Sequence, residues 1–171
     1  KIKITENFAY FLGLFAAEGS IYRNTIDISC ESSTLAKKVK DFMEKELGLK
    51  VKLYKSKNVR LQNAALAKLL IKLFGRPLRN LKGKGRYSRA KRVPNIIFNQ
   101  DQKIICNFLK GCFDGDGTVT NTIEYASVSK DLISGIITLL EFLGIKTTLR
   151  EKRRSWEISI LSSDIEKFYR L

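Results

Sequence analysis

The sequence predicts an α+β protein of two pseudo-symmetric halves. Each is an αββαββα unit with a four-stranded antiparallel sheet backed by helices, and the two are joined at a central two-helix seam. Three observations lead there: an internal repeat, the same succession of apolar periodicities in both copies, and small residues four apart on the two most apolar helices. Asn24-Thr25-Ile26-Asp27 returns as Asn121-Thr122-Ile123-Glu124, and Leu47-Gly48-Leu49-Lys50 as Leu143-Gly144-Ile145-Lys146, so the offset holds at 96 to 98 residues. A period of that length is too long for a solenoid unit and suits two half-domains. The expected division is a first half over 1–75, a basic connecting segment over 76–100 and a second half over 101–171.

Each half opens on an apolar helix, Asn7–Glu18 and Gln102–Asp116. The longest apolar run, Phe8–Ala17, falls well short of the ~20 residues that span a bilayer and reads as a buried helix. A hairpin follows, Ser20–Arg23 with Thr25–Glu31 and Thr118–Thr120 with Thr122–Val128, turning at Asn24 and Asn121. Second helices over Ser33–Leu47 and Lys130–Leu143 stop at Gly48 and Gly144, the residue type that tolerates the left-handed conformation after a helix. Further strands are expected near Lys50–Lys55 and Asn58–Gln62, and near Lys146–Glu151 and Trp156–Leu161. Closing helices cover Ala64–Phe74 and Ser163–Tyr169. Alternation sets Val51 and Leu53 opposite Lys50, Lys52 and Tyr54, and Val59 and Leu61 opposite Arg60 and Gln62. It also sets Ile145, Thr147 and Leu149 opposite Lys146, Thr148 and Arg150. Each sheet should therefore bury one face on helices and offer a basic, hydrogen-bonding face to solvent.

Lys and Arg number 32 against 17 Asp and Glu, a net charge of +15, which points to a polyanionic partner. At 44% hydrophobic and 29% charged, the chain has material for a real core. It contains no His, which removes Ser-His-Asp and Cys-His nucleophiles, His-ligated zinc and a His general base. Catalysis here would run on carboxylates, lysines and metal-bound water. Cys30, Cys106 and Cys112 show no C-x-x-C spacing and read as buried reduced thiols, with a cytoplasmic or organellar rather than secreted location expected. No helix sets a Lys-rich face against a broad apolar one, so nucleic acid is favoured over membrane. Between Gly75 and Arg92 lie Arg76, Arg79, Lys82, Lys84, Arg86, Arg89, Lys91 and Arg92 with no acid, a segment suited to lying along phosphates.

Gly13 and Ala17 on the first helix, and Gly111 and Gly115 on its repeat, fall on one face of each and would let two helix backbones approach closely. Such a seam delivers Glu18 and Asp116 side by side at two helix C-termini. Paired carboxylates at the negative ends of two macrodipoles repel each other, yet they suit a hard divalent cation such as Mg²⁺.

These helix ends, Phe11-Leu12-Gly13-Leu14-Phe15-Ala16-Ala17-Glu18-Gly19 and Leu109-Lys110-Gly111-Cys112-Phe113-Asp114-Gly115-Asp116-Gly117, together with the αββαββα repeat, resemble the LAGLIDADG homing endonucleases of the single-chain, two-motif form. The resemblance implies that the sheets form a saddle over DNA and that Glu18 and Asp116 bind the catalytic metals, two or more Mg²⁺ with Mn²⁺ able to substitute. The carbonyls of Ala17 and Gly115 would be additional ligands. Asp114 matches an acid often present in the motif, but its counterpart is Ala16, so it is not expected to be essential. Lys91-Arg92-Val93-Pro94 resembles a Lys-x-x-Pro block that places its lysine in the active site, making Lys91 a catalytic candidate. No equivalent lysine is evident in the second half, where Ser127, Val128, Lys130 and Lys152 stand near the matching place. Base-reading candidates on the sheet faces are Arg23, Lys50, Lys52, Arg60, Gln62, Lys146, Thr148, Arg150 and Arg154. The expected activity is a staggered double-strand break with 3′ overhangs in a long asymmetric DNA site. The expected protein is an intron-encoded or free-standing monomer. Open beside this stand an RNA maturase acting on intron RNA and a DNA-binding regulator, since the same fold serves both, and a nuclease embedded in an intein.

Overall fold

The computed structural model describes residues 3–55, 57–76 and 87–170. Half of the basic residues of the run (Arg79, Lys82, Lys84 and Arg86) lie outside the described residues. The elements run α1 (Glu6–Glu18), β1 (Gly19–Tyr22), β2 (Thr25–Ser29), α2 (Ser33–Lys45), β3 (Lys52–Tyr54), β4 (Asn58–Gln62) and α3 (Ala64–Phe74) in the first half. A 3-10 turn (Ser88–Ala90) and a short helix α4 (Asn95–Phe98) lead to α5 (Gln102–Asp116). The second half continues with β5 (Gly117–Val119), β6 (Ile123–Ser127), α6 (Lys130–Phe142), β7 (Thr147–Lys152), β8 (Ser155–Ile160), a 3-10 turn (Ser162–Asp164) and α7 (Ile165–Tyr169). Both sheets are antiparallel and four-stranded, in the orders β1-β2-β4-β3 and β5-β6-β8-β7. The expected fold class holds.

Local chemistry starts the helices where they start. Thr5, Ser32, Asn63, Asp101 and Ser129 each accept a hydrogen bond from a first-turn amide, satisfying a donor that the helix itself cannot. Gly48 and Gly144 take φ of +63° and +69° just past α2 and α6, as expected for helix-stopping glycines. Residues Phe8 to Ala16 of α1 are all buried, because sheet one covers one side of the helix and α5 the other.

At that seam a Cβ added to Gly13 would lie 1.9 Å from the Phe108 carbonyl oxygen, and one added to Gly111 would lie 2.1 Å from that of Tyr10. The two helices meet backbone to backbone. Tyr10 ties them further, its hydroxyl donating to Asp114 Oδ2 at 2.7 Å. One apolar core runs through both halves, and its aromatic contacts repeat in outline across the seam. Phe15 packs on Phe74 with ring centroids 5.1 Å apart, and Phe113 on Phe168 at 4.7 Å.

The outer strands depart from simple alternation. Leu53 pairs in register with buried Val59, yet it is 41% exposed, and Leu149, opposite buried Ile158, is 50% exposed. Both lie on edge strands, β3 and β7, with a neighbouring strand on one side only, so inward parity does not bring full burial there. Val51 and Ile145, just before those strands, are buried as expected. The second closing helix is shorter than its sequence suggested, because Ser162–Asp164 forms a 3-10 turn whose Asp164 accepts the Lys146 amide at 2.7 Å. The three cysteines are buried free thiols. No helix among the described residues is long and apolar enough to cross a membrane.

Candidate active site

Close approach of α1 and α5 brings their last residues, Glu18 and Asp116, together at one end of the seam. A Cβ on Gly115 would stand 2.5 Å from Ala17 Cβ and 3.4 Å from Glu18 Cγ, so the glycine is what allows the two acids to converge. Glu18 is half-buried while Asp116 still reaches solvent. Partial burial, the facing Asp116 charge and a hydrogen bond between the two carboxyls push Glu18 up to about 7, against the pull of Lys91. Burial raises Asp116 as well, opposed by Lys91 and by its hydrogen bond with Glu18. The pair thus holds a proton near neutrality, as crowded acids do.

Lys91 lies beneath them and is 2% exposed. Its Nζ donates to the carbonyls of Ala16 at 2.8 Å and Ala17 at 2.9 Å, the free carbonyls at the end of α1. Burial lowers it to about 8, although Asp116 and Glu18 favour its charge. The Ala17 carbonyl expected to reach a metal is therefore already engaged by an ammonium. The segment that carries Lys91 is fixed on both sides: Gly75 abuts the Ala90 carbonyl, and Gly135 of α6 abuts Val93. Ser129, buried at the start of α6, donates from Oγ to the Lys91 carbonyl at 2.5 Å and accepts the Leu132 amide.

Sequence reasoning passed over Ser129, whose signal was a Ser at the N-cap of the second-half helix. It also passed over Tyr125. This ring is fully buried against Phe113 at 5.4 Å, and its hydroxyl has no partner among the described residues. Tyr125 stands in register with Gly117, as Ile28 does with Gly19, so the hydroxyl has no counterpart in the first half.

Lys130 and Lys152 do not join the carboxylates. The first stacks over Trp156 at 4.7 Å and the second pairs with Glu157. The Ser127 hydroxyl accepts the Ser129 amide. The nine base-reading candidates are all exposed. Lys52, Arg60 and Gln62 share the outer face of the first sheet, with Lys50 just before β3 and Arg23 in the β1–β2 turn. Thr148 and Arg150 share the outer face of the second, with Lys146 just before β7 and Arg154 in the β7–β8 turn. Those faces are mixed rather than uniformly basic: Asp27 sits beside Arg60, and Glu124 and Glu157 lie on the second.

A divalent cation fits the donor set. Two carboxylates and main-chain carbonyls are all hard oxygens, and a cation between the acids would offset the burial and the Asp116 charge that raise Glu18. Among the described residues no group of three or more His, Cys, Asp or Glu is formed, so remaining ligands would come from carbonyls, water or a phosphate.

Two pseudo-symmetric sheet units fused at a small-residue helix seam, each delivering one acid to a shared site, define a double-motif protein. The model of the LAGLIDADG-like domain matches residues 5–72 and again 103–171, and the chain belongs to the LAGLIDADG family. It is 28% identical over 98% of its length to DNA-directed RNA polymerase subunit Rpo1C of Methanocaldococcus jannaschii, covering 19% of that protein. It is 32% identical over 82% of its length to a probable translation initiation factor IF-2 of Thermococcus kodakarensis, covering 12% of it. The chain thus spans less than a fifth of the length of either relative. Among solved structures it superposes on I-DmoI in complex with DNA and Mn with a TM-score of 0.69 at 18% identity, covering 98% of this chain and 96% of that one. It superposes on full-length WhiA from Thermatoga maritima with a TM-score of 0.66 at 18% identity, covering 96% and 54%. At such identities the likeness is one of fold.

Proposed function

We propose that the chain is a site-specific DNA endonuclease that hydrolyses both strands of a long, asymmetric target with a staggered cut, in a divalent-metal-dependent reaction. The observation that carries this is the convergence of Glu18 and Asp116 at the seam, above a buried lysine, in a chain of net charge +15. A homing endonuclease, I-DmoI, shares the fold, and its structures hold target DNA with Mn, Ca or Mg.

In this reading Glu18 and Asp116 hold Mg²⁺ or Mn²⁺, and the Gly115 carbonyl supplements them. A bound ion there supplies Lewis acidity toward the phosphate and makes water a stronger acid. The chain does the rest. Lys91 fixes the end of α1 through two carbonyls and sets positive charge beneath the reacting phosphate, positioned by Ser129. Arg23, Lys50, Lys52, Arg60 and Gln62 contact one half-site, and Lys146, Thr148, Arg150 and Arg154 the other. Because the duplication supplies both half-sites, a monomer suffices.

An RNA polymerase subunit and a probable translation initiation factor are unlike proteins, yet each contains a segment similar to this chain. That supports a portable module within different proteins over the intron-encoded form expected from sequence.

The test is a Mg²⁺-dependent cleavage selection on a randomised duplex library, run beside the Glu18→Gln/Asp116→Asn double variant. Fragments from the native protein alone, sharing one long asymmetric sequence, support the reading. Salt-sensitive binding without cleavage overturns it in favour of a DNA-binding regulator.

A further inference from the structure

At the centre of the first sheet's outer face, β2 and β4 set Asp27 and Arg60 directly opposite each other. The guanidinium makes a two-pronged contact with the carboxylate, Nε to Oδ1 at 2.5 Å and Nη2 to Oδ2 at 3.3 Å. It also lies 5.1 Å from the centroid of the Tyr54 ring. Two donors are thereby spent, and the far edge of the fork, with both hydrogens of Nη1 and one of Nη2, is unclaimed by this pair. The Arg60 side chain keeps 50% of its surface exposed, against 29% for Asp27. A long side chain that would otherwise sample many rotamers is thus held on two central strands, half exposed, with one planar, two-donor edge left over from the pair.

We infer that Arg60, held by Asp27 and Tyr54, is a specificity-determining residue that reads a single guanine in the half-site under the first sheet. This inference rests on the DNA-binding reading above. The chemistry is that of a guanidinium edge donating to the two acceptors, O6 and N7, that guanine alone presents side by side in the major groove. Asp27 is the positioning residue: it touches no base and acts by fixing which edge of Arg60 faces out.

The duplication supplies an internal contrast. By register Glu124 stands where Asp27 does, but its cross-strand neighbour is Ser159 in place of Arg60. Glu124 instead accepts from Thr122 Oγ1 at 3.0 Å and lies 3.4 Å from Ser159 Oγ. The second half therefore lacks this reader at the matching position.

The experiment is binding of the full chain to a randomised duplex library in Ca²⁺, with enrichment read base by base for the native protein, Arg60→Lys, Arg60→Ala and Asp27→Asn. The native protein should enrich guanine at one position by about ten-fold or more, the discrimination a good two-pronged contact provides. Arg60→Lys keeps the charge and loses the fork, so the guanine preference should collapse and affinity for guanine-bearing duplexes should fall toward that for the other bases. Arg60→Ala should lose both in part. Asp27→Asn removes a charge that repels phosphate, so total affinity should hold or rise while the guanine preference falls several-fold at the same position. Guanine preference that survives Arg60→Lys or Asp27→Asn overturns the assignment and leaves an ordinary cross-strand ion pair. Salt-sensitive binding with no such position also overturns it, with the DNA-binding reading intact. Absence of any duplex binding overturns both.

Discussion

Glu18 is pulled in two directions, and its titration should be measurable. Its folded-state value of about 7 lies above the ordinary 4.5, so the folded state binds the extra proton between those limits. That contribution to stability is present below pH 4.5 and lost as pH rises through about 7. The urea midpoint of the native protein should fall across this window more than that of Glu18→Gln, and equal slopes would show that the acid is not perturbed. Divalent cations compete with the same proton, so Mn²⁺ affinity measured by calorimetry should climb toward neutrality and level off above it. Lys91 runs the other way. Held at about 8, it costs stability while charged, a cost relieved as pH rises toward 10.5. Replacing it by Met removes a buried charge but leaves the Ala16 and Ala17 carbonyls without their donor, so the fold should lose about 1–3 kcal/mol, while cleavage slows about a hundred-fold, the scale on which one preorganised donor acts. The Tyr125 hydroxyl is different again. It is buried with no partner among the described residues, so Tyr125→Phe should raise stability by about 1 kcal/mol in chemical unfolding.

The α1–α5 seam was legible before any coordinates, because glycine four residues from a small neighbour, twice, at matched positions, has one economical explanation in water. Gly111→Ala would drive a methyl to 2.1 Å from the Tyr10 carbonyl, and neither backbone can yield locally. The expected loss is about 3 kcal/mol, at the top of the usual overpacking range, read as a drop in the unfolding midpoint. Central strands were equally legible: Val59 and Leu61 point in while Arg60 and Gln62 point out. Edge strands were not. Alternation records which side a residue faces, whereas burial of Leu53 and Leu149 depends on where β3 and β7 fall in the strand order of the folded sheets. Contacts across long separations were invisible for the same reason. Nothing near Ser129 in sequence announces that its hydroxyl holds the Lys91 carbonyl, 38 residues away. The acids on the outer faces, Asp27 on the first and Glu124 and Glu157 on the second, were not foreseen either, since net charge says nothing about where the minority sign is placed.

At the scale of the whole molecule, a net charge of +15 should make duplex binding strongly salt-dependent. If six or more phosphates are neutralised, affinity should drop about a thousand-fold or more between 50 and 200 mM salt, and a shallow slope in a titration series would count against a saddle that follows the backbone. The two halves carry unlike outer faces on like frameworks, and the seam between them is set by main-chain atoms, Phe108 and Tyr10 carbonyls against two glycines. Substitution changes side chains and cannot change a carbonyl. The spacing of the two acids therefore behaves as a fixed gauge, insulated from drift on the sheets. Halves exchanged between relatives that keep those glycines should join without redesign, each bringing its own reading face to an unchanged pair of jaws.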